Sequence, residues 1–157
     1  MYPKSMSAKA FTFCESTKND ISTHLNELEP EFHQLLVQRV NLNEYVDKLI
    51  CQANTIEYWE DKRLVGLIAF YINTASQSIF ISNFTVVQDR VSRGIGRELF
   101  GKLIQESQKA SIAFNIELEV QKTNLSAILF YQGLGFSFTS AKTDSILMSF
   151  YHSTYNV

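Results

Sequence analysis

"VSRGIGRELF", Val91 to Phe100, sets two glycines one residue apart, flanks them with arginines and leads straight into apolar residues at helical spacing. Glycine costs about 1 kcal/mol relative to alanine inside a helix. A helix that opens on Gly94 and Gly96 therefore implies that something approaches its backbone closely. From Gly96 onward Leu99, Phe100, Leu103 and Ile104 keep the helical period, and the pattern ends near Lys109. Upstream, "SIFISNFTVV" reads as a strand. A strand feeding a glycine turn and then a helix is an anion-binding arrangement, because free N–H groups and the helix dipole both face the incoming group. Phosphate oxygens could reach those amides past Gly94 and Gly96, with Arg93 and Arg97 adding charge. Taken alone, the stretch is equally a tight strand-to-helix turn.

Two familiar phosphate loops do not fit. A Rossmann fingerprint needs a third glycine where this chain has Leu99, and a parallel βα start before it. A Walker loop ends in Gly-Lys-Ser or Gly-Lys-Thr, whereas "GKL" at 101–103 lies inside the helix and lacks the hydroxyl.

The surrounding chain supplies a complete set of elements. "AFTFCES" reads as a first strand. "STKNDISTHLNEL" follows as a helix, with Ser16, Asn19 and Asp20 as candidate caps and Ile21, Leu25 and Leu28 on one face. Pro30 ends that run, and "NLNEYVDKLI" forms a second helix with Leu42, Tyr45, Val46, Leu49 and Ile50 on one side. "NTIEYWED", "RLVGLIAFYIN" and "SIFISNFTVV" are joined by connections too short for a parallel crossover, so they form an antiparallel meander. After the glycine helix come the strand "SIAFNIELEV", the helix "NLSAILFYQGLG" capped by Asn124, and two strands around "AKTDS". The expected order is one strand, two helices, three strands, helix, strand, helix, two strands. It describes a single mixed α/β domain over 1–157, with a mostly antiparallel sheet flanked by helices.

Composition narrows the function classes. The chain has 157 residues, 45% hydrophobic and 19% charged, and a net charge of -2. That balance suits one globular core and argues against a nucleic-acid partner. No apolar run reaches the ~20 residues of a membrane span, and "MYPKSMSAKAF" lacks the apolar core of a signal peptide. A cytoplasmic enzyme is expected, with no membrane partner. Cys14 and Cys51 are expected to be reduced and buried. His24, His33 and His152 show no metal-ligand spacing and are expected at polar surface or edge positions, so no metal is expected.

A second motif decides between the two readings of the glycine turn. "NLSAILFYQGLGF" holds Asn124, Ala127, Phe130, Tyr131, Gly133, Gly135 and Phe136 at fixed spacing about one βα unit downstream. Here the chain resembles the GNAT-type N-acetyltransferases. Their acetyl-CoA loop is written Q/R-x-x-G-x-G/A, and a later helix reads N-x-x-A-x-x-F-Y-x-x-x-G-F. The match runs from about Ile79 to Phe136, and the element order agrees over nearly the whole chain. One position departs: Val91 stands where the family has Gln or Arg, with Arg90 one residue early.

The resemblance implies a GNAT fold and a division of labour. Acetyl-CoA, the expected cosubstrate, would lay its pantetheine in a gap between the strand ending at Val87 and "NIELEV", pairing with the backbone of Val86 and Val87. Its pyrophosphate would meet the loop from Val91 through Ser92, Arg93, Gly94, Ile95 and Gly96 to Arg97. A primary amine, expected to be a small molecule, would attack the thioester directly. A backbone N–H near Val86 would stabilise the oxyanion. Tyr131 would serve as general acid to the leaving thiolate, and Asn124 would cap its helix and contact the CoA chain. The amine must lose a proton, which costs roughly 4–5 kcal/mol at pH 7 for a lysine-like group. Asn83 occupies the strand position where several family members carry a glutamate, so Glu119, or Glu117 beside it, is the remaining candidate base. Phe32, Tyr45, Tyr58, Trp59 and Asn83 are candidate acceptor-side residues, each of them also an ordinary packing residue. The acidic group Glu27, Glu29 and Glu31 could attract a cation. A homodimer through "SILMSFY" is a further expectation.

Overall fold

A computed structural model describes residues 9–110 and 114–152 of the chain. The elements are β1 (Lys9–Phe13), α1 (Lys18–Asn26), α2 (Pro30–Arg39), α3 (Leu42–Gln52), β2 (Asn54–Glu60), β3 (Arg63–Asn73), β4 (Ser78–Val86), α4 (Ile95–Lys109), β5 (Phe114–Gln121), α5 (Leu125–Leu134), β6 (Ser137–Ala141) and β7 (Ser145–His152). The fold is mixed α/β, with seven strands hydrogen-bonded in the order β1-β2-β3-β4-β5-β7-β6. β1 runs antiparallel to β2, and β7 antiparallel to both β5 and β6. β4 and β5 pair in parallel over Ser78–Ile81 and Asn115–Leu118.

Local chemistry explains most boundaries. α1 starts in a capping box: Thr17 Oγ1 accepts from the Asp20 amide while the Asp20 carboxylate accepts from the Thr17 amide. The cap is Thr17 rather than Ser16, Asn19 or Asp20. β2 and β3 are joined by Asp61 and Lys62, both left-handed at φ 49° and 66°. This is the two-residue turn whose twist suits a tight hairpin. Asn124 caps α5 by accepting from the Ala127 amide at 3.2 Å, and the helix exits on left-handed Gly135.

The sequence reading missed α2. Pro30 does not break a helix but begins one, sitting at its first turn where a missing N–H is harmless. No residue of α2 is fully buried, so its apolar period is blurred, with Leu35 and Val37 exposed.

The described chain divides into two compact units, each drawing on separate stretches of sequence: 1–69 with 83–103, and 70–82 with 104–157. In the first unit one core gathers Ile21, Leu25 and Leu28 from α1, Val46 and Leu49 from α3, and Leu64, Leu67 and Ala69 from β3, with Phe32, Leu36, Tyr45 and Trp59 packed against it. On the other face of its strands a Cβ at Gly66 would lie 2.7 Å from Leu99 Cδ1 and 3.0 Å from Ile95 Cγ2. The missing side chain is what lets α4 sit that close. In the second unit Phe136 packs between Tyr131 and Phe150, with ring centroids 5.8 and 5.6 Å away, and Met148 is fully buried. β7 lies between β5 and β6. β5 pairs with it along Ser145–His152, and β6 with Ile146–Ser149.

Both cysteines are free and exposed, not buried. Cys14 stands in the turn after β1 at φ 54°, and Cys51 lies near the exposed end of α3. His24, expected at the surface, is 1% exposed. The side chain of His152 lies outside the described residues.

Candidate functional site

In the first unit β4 ends at Val86, a short 3-10 turn covers Gln88–Arg90, and α4 opens at Ile95. Between them the chain is left-handed at Ser92 (φ 63°) and again at Gly94 (φ 81°). Left-handed backbone at a serine is strained by roughly 1 kcal/mol, and such strain collects at binding loops. Gly94 accepts the first helical bond through its carbonyl, from the Glu98 amide at 3.1 Å, so the amides of Ile95, Gly96 and Arg97 form the first turn with no intrahelical acceptor. Around the Cβ position of Gly94 there is no atom within 4 Å. The turn is open toward a ligand. Ile95 is buried and anchors the helix, while Ser92, Arg93, Gly94 and Arg97 are exposed and Gly96 is half-buried. The loop thus offers unpaired amides, two exposed guanidinium groups and room, which is what a diphosphate needs.

The approach to this loop is held by charge. Arg63 at the start of β3 bridges Glu27 and Asp89, and Arg90 donates to Glu60 Oε2 at 2.8 Å and to Asp89. Asp89 above all, with Glu27, raises the Arg63 guanidinium above its ordinary value, and Arg63 in turn lowers the Asp89 carboxyl. Arg90 is thus committed to Glu60 and Asp89, and Val91 beside it is 51% exposed. Glu27 neutralises Arg63 rather than waiting for a cationic ligand.

Val86 and Val87 differ in a way the sequence could not show. The Val87 amide donates to the Val65 carbonyl at 2.9 Å, so it is already used. Successive N–H groups of extended backbone point to opposite sides, which turns the Val86 amide away from β3.

Of the acceptor-side candidates, the structure joins Asn83 and Tyr45: their side chains meet at 3.1 Å between Asn83 Nδ2 and Tyr45 Oη. Phe32, Tyr45 and Trp59 all pack on the α1–α3 core, and the Trp59 indole N–H donates to Thr12 Oγ1 at 2.6 Å. Tyr58 does not join them. It is buried on the α4 face, beside Phe11 at a ring distance of 5.0 Å and near Gly66.

Tyr131 lies in the second unit on α5. Burial pushes its phenol up to about 12, so at neutral pH the group holds its proton and can donate. Glu119 on β5 is not idle: Lys142 Nζ and Ser145 Oγ both donate to its carboxylate. Glu117 accepts from Asn115 Nδ2 at 2.9 Å.

Two buried polar groups escaped the sequence reading. Glu57, fully buried, accepts from Thr12 Oγ1, Thr55 Oγ1, the Ser16 hydroxyl and the amides of Glu15 and Ser16. It fastens the β1–α1 turn. His24 is held by the Leu64 carbonyl at 3.0 Å and Thr85 Oγ1 at 2.8 Å. Nothing local to "NTIEYWE" tells that the β1–α1 turn folds over Glu57. Among the described residues no group of three or more His, Cys, Asp or Glu side chains gathers to hold a metal ion, and no helix is long and apolar enough to cross a membrane.

Comparison with known proteins agrees with this geometry. The profile of the acetyltransferase (GNAT) family matches residues 19–136, which is most of the chain. The protein belongs to that family. A search of curated proteins by sequence finds no match. Among solved structures, PaiA N-acetyltransferase from Thermoplasma acidophilum, in complex with coenzyme A, is 13% identical with TM-score 0.73, over 91% of this chain and 99% of that one. The ribosomal-protein-S18-alanine N-acetyltransferase of Escherichia coli is 18% identical with TM-score 0.70, over 96% and 99%. A Bacillus subtilis acetyltransferase in complex with CoA is 15% identical with TM-score 0.71, over 93% and 100%. At these identities the likeness is one of fold.

Proposed function

We propose that the protein is a cytoplasmic N-acetyltransferase that moves the acetyl group of acetyl-CoA to a primary amine of a small molecule by direct attack. The observation that carries this reading is the open turn at Ser92–Arg97, where unpaired first-turn amides meet exposed Arg93 and Arg97. Family membership makes CoA the anion that suits it, as in the neighbours solved with that ligand. The diphosphate would be held by these amides and the pantetheine by the backbone near Val86. The amine nitrogen attacks the thioester carbonyl, the oxyanion takes the Val86 N–H, and the carbon–sulfur bond breaks with Tyr131 O–H supplying a proton to the leaving sulfur. Asn124 serves as a helix cap first. Neither Glu119, held by Lys142, nor Asn83 is assigned as base. The amine proton passes to water, which favours acceptors that are neutral or easily deprotonated at working pH.

Gly96→Asp tests the loop. A carboxylate at a helix N-terminus complements the dipole, so the fold is kept while phosphate is repelled. Calorimetry should show acetyl-CoA affinity falling at least tenfold with the melting temperature unchanged; full affinity in the folded variant would refute the loop assignment. An amine panel followed by mass spectrometry tests the reaction. Saturable CoA binding with no acetylated product would make the protein a cofactor-binding module instead.

A further inference from the structure

The second unit holds a hollow that none of the chemistry above uses. It has a volume of about 550 Å³, and its lining includes Tyr71, Asn73, Ser78, Phe80 and Glu117, all of them in that unit. Strand alternation explains how it arises. Ile79 and Ile81 of β4, with Ile116 and Leu118 of β5, are buried, so Ser78, Phe80, Asn115 and Glu117 share the opposite face. The parallel register sets Phe80 beside Glu117 and Ser78 beside Asn115. Tyr71, near the end of β3, adds a second aromatic side chain to the wall. Turn chemistry holds the rim in place: Asn73 Oδ1 accepts from the Ala75 and Ser76 amides at 3.1 and 3.2 Å, and Ser76 Oγ meets Ser78 Oγ at 2.7 Å.

The Glu117 carboxylate meets an amide and no cation. Asn115 Nδ2 donates to its Oε1 at 2.9 Å, and among the described residues Oε2 has no partner and no Lys, Arg or His pairs with it. Beside it Phe80 is 37% exposed. A carboxylate with an unused oxygen and the face of an aromatic ring both present negative potential. An anion is repelled here. A metal ion lacks ligands, since no group of three or more His, Cys, Asp or Glu gathers among the described residues. What suits the hollow is a cation of low charge density on an apolar body. We propose that it binds a small organic ammonium, whose N–H donates to Glu117 Oε2 while its apolar arm lies along Phe80 and Tyr71. The site shares no residue with the loop at Ser92–Arg97 and stands whether or not the protein transfers acetyl groups.

Benzylammonium, titrated into the isotopically labelled, cofactor-free protein at pH 7, is the probe. Two-dimensional NMR should show saturable shifts at the amides of Tyr71, Phe80 and Glu117, half-complete at roughly 1 mM, as expected of so small a ligand. Benzyl alcohol, of the same shape without the charge, should bind at least about fivefold more weakly. Glu117→Gln keeps the size of the side chain and an oxygen for Asn115, so the fold is retained. Its affinity for benzylammonium should fall at least about fivefold, the worth of a screened charge-assisted bond. Phe80→Leu keeps apolar bulk and loses the ring face, for a loss of about twofold to fivefold. No saturable shift at these residues, equal binding of alcohol and ammonium, or unchanged affinity in either folded variant would each overturn the proposal. Failure of the wild type to acetylate any amine would count against the transferase reading alone.

Discussion

Tyr131 and His24 are both pushed toward their neutral forms by burial, with opposite consequences for pH. The Tyr131 phenol, raised to about 12, is an O–H donor throughout the physiological range. Tyr131→Phe should lower kcat by roughly a hundredfold, the usual scale of a lost acid, with acetyl-CoA affinity retained; preserved turnover would assign the proton to water. His24 is depressed from 6.5 to about 4. Its stabilising effect is complete above 6.5, where both states are neutral, and is lost as pH falls toward 4, because the unfolded chain takes up the proton first. About 3 kcal/mol should disappear over that window, measurable by urea unfolding at pH 7 and pH 4.5. A flat profile would mean that the imidazole is hydrated. Neither His24 nor Glu57 was legible in the sequence, since each owes its burial to chain some 40 positions away: Leu64 for one, the β1–α1 turn for the other.

Elements were read more faithfully where period and punctuation agreed. β3 and α5 follow the expected stretches closely because Asp61–Lys62 and Asn124 mark their starts with local chemistry. α2 was lost because a proline was taken as an end when its position made it a beginning, and because Leu35 and Val37 face solvent. The placement of α4 depends on a residue outside the glycine motif. Gly66 on β3 leaves space that Ile95 and Leu99 fill, and so sets where the first turn of that helix lies. An alanine could be met by movement of the flexible Leu99 tip. Gly66→Val cannot, since its branches would press on Ile95 as well. It should cost about 2 kcal/mol and weaken acetyl-CoA binding, although it is not itself in the loop; unaltered affinity would show that α4 tolerates displacement.

At the scale of the whole molecule, both compact units are discontinuous in sequence, because β3, β4 and α4 each begin in one and end in the other. Neither can be cut out as a single segment. The family was legible from two motifs within 46 residues, Val91 to Phe136, and the profile match over 19–136 bears that reading out. The exposure of the thiols was not, because composition alone speaks of averages and not of the turn at Cys14. Exposure of Cys14 and Cys51 on separate elements has a chemical corollary. Stored in air, the protein should accumulate covalently linked oligomers that dithiothreitol dissolves and that a Cys14→Ser, Cys51→Ser pair abolishes, visible on a non-reducing gel. Any chromogenic disulfide used to follow liberated coenzyme would first be consumed by these two sulfurs, at a stoichiometry set by the enzyme rather than by turnover.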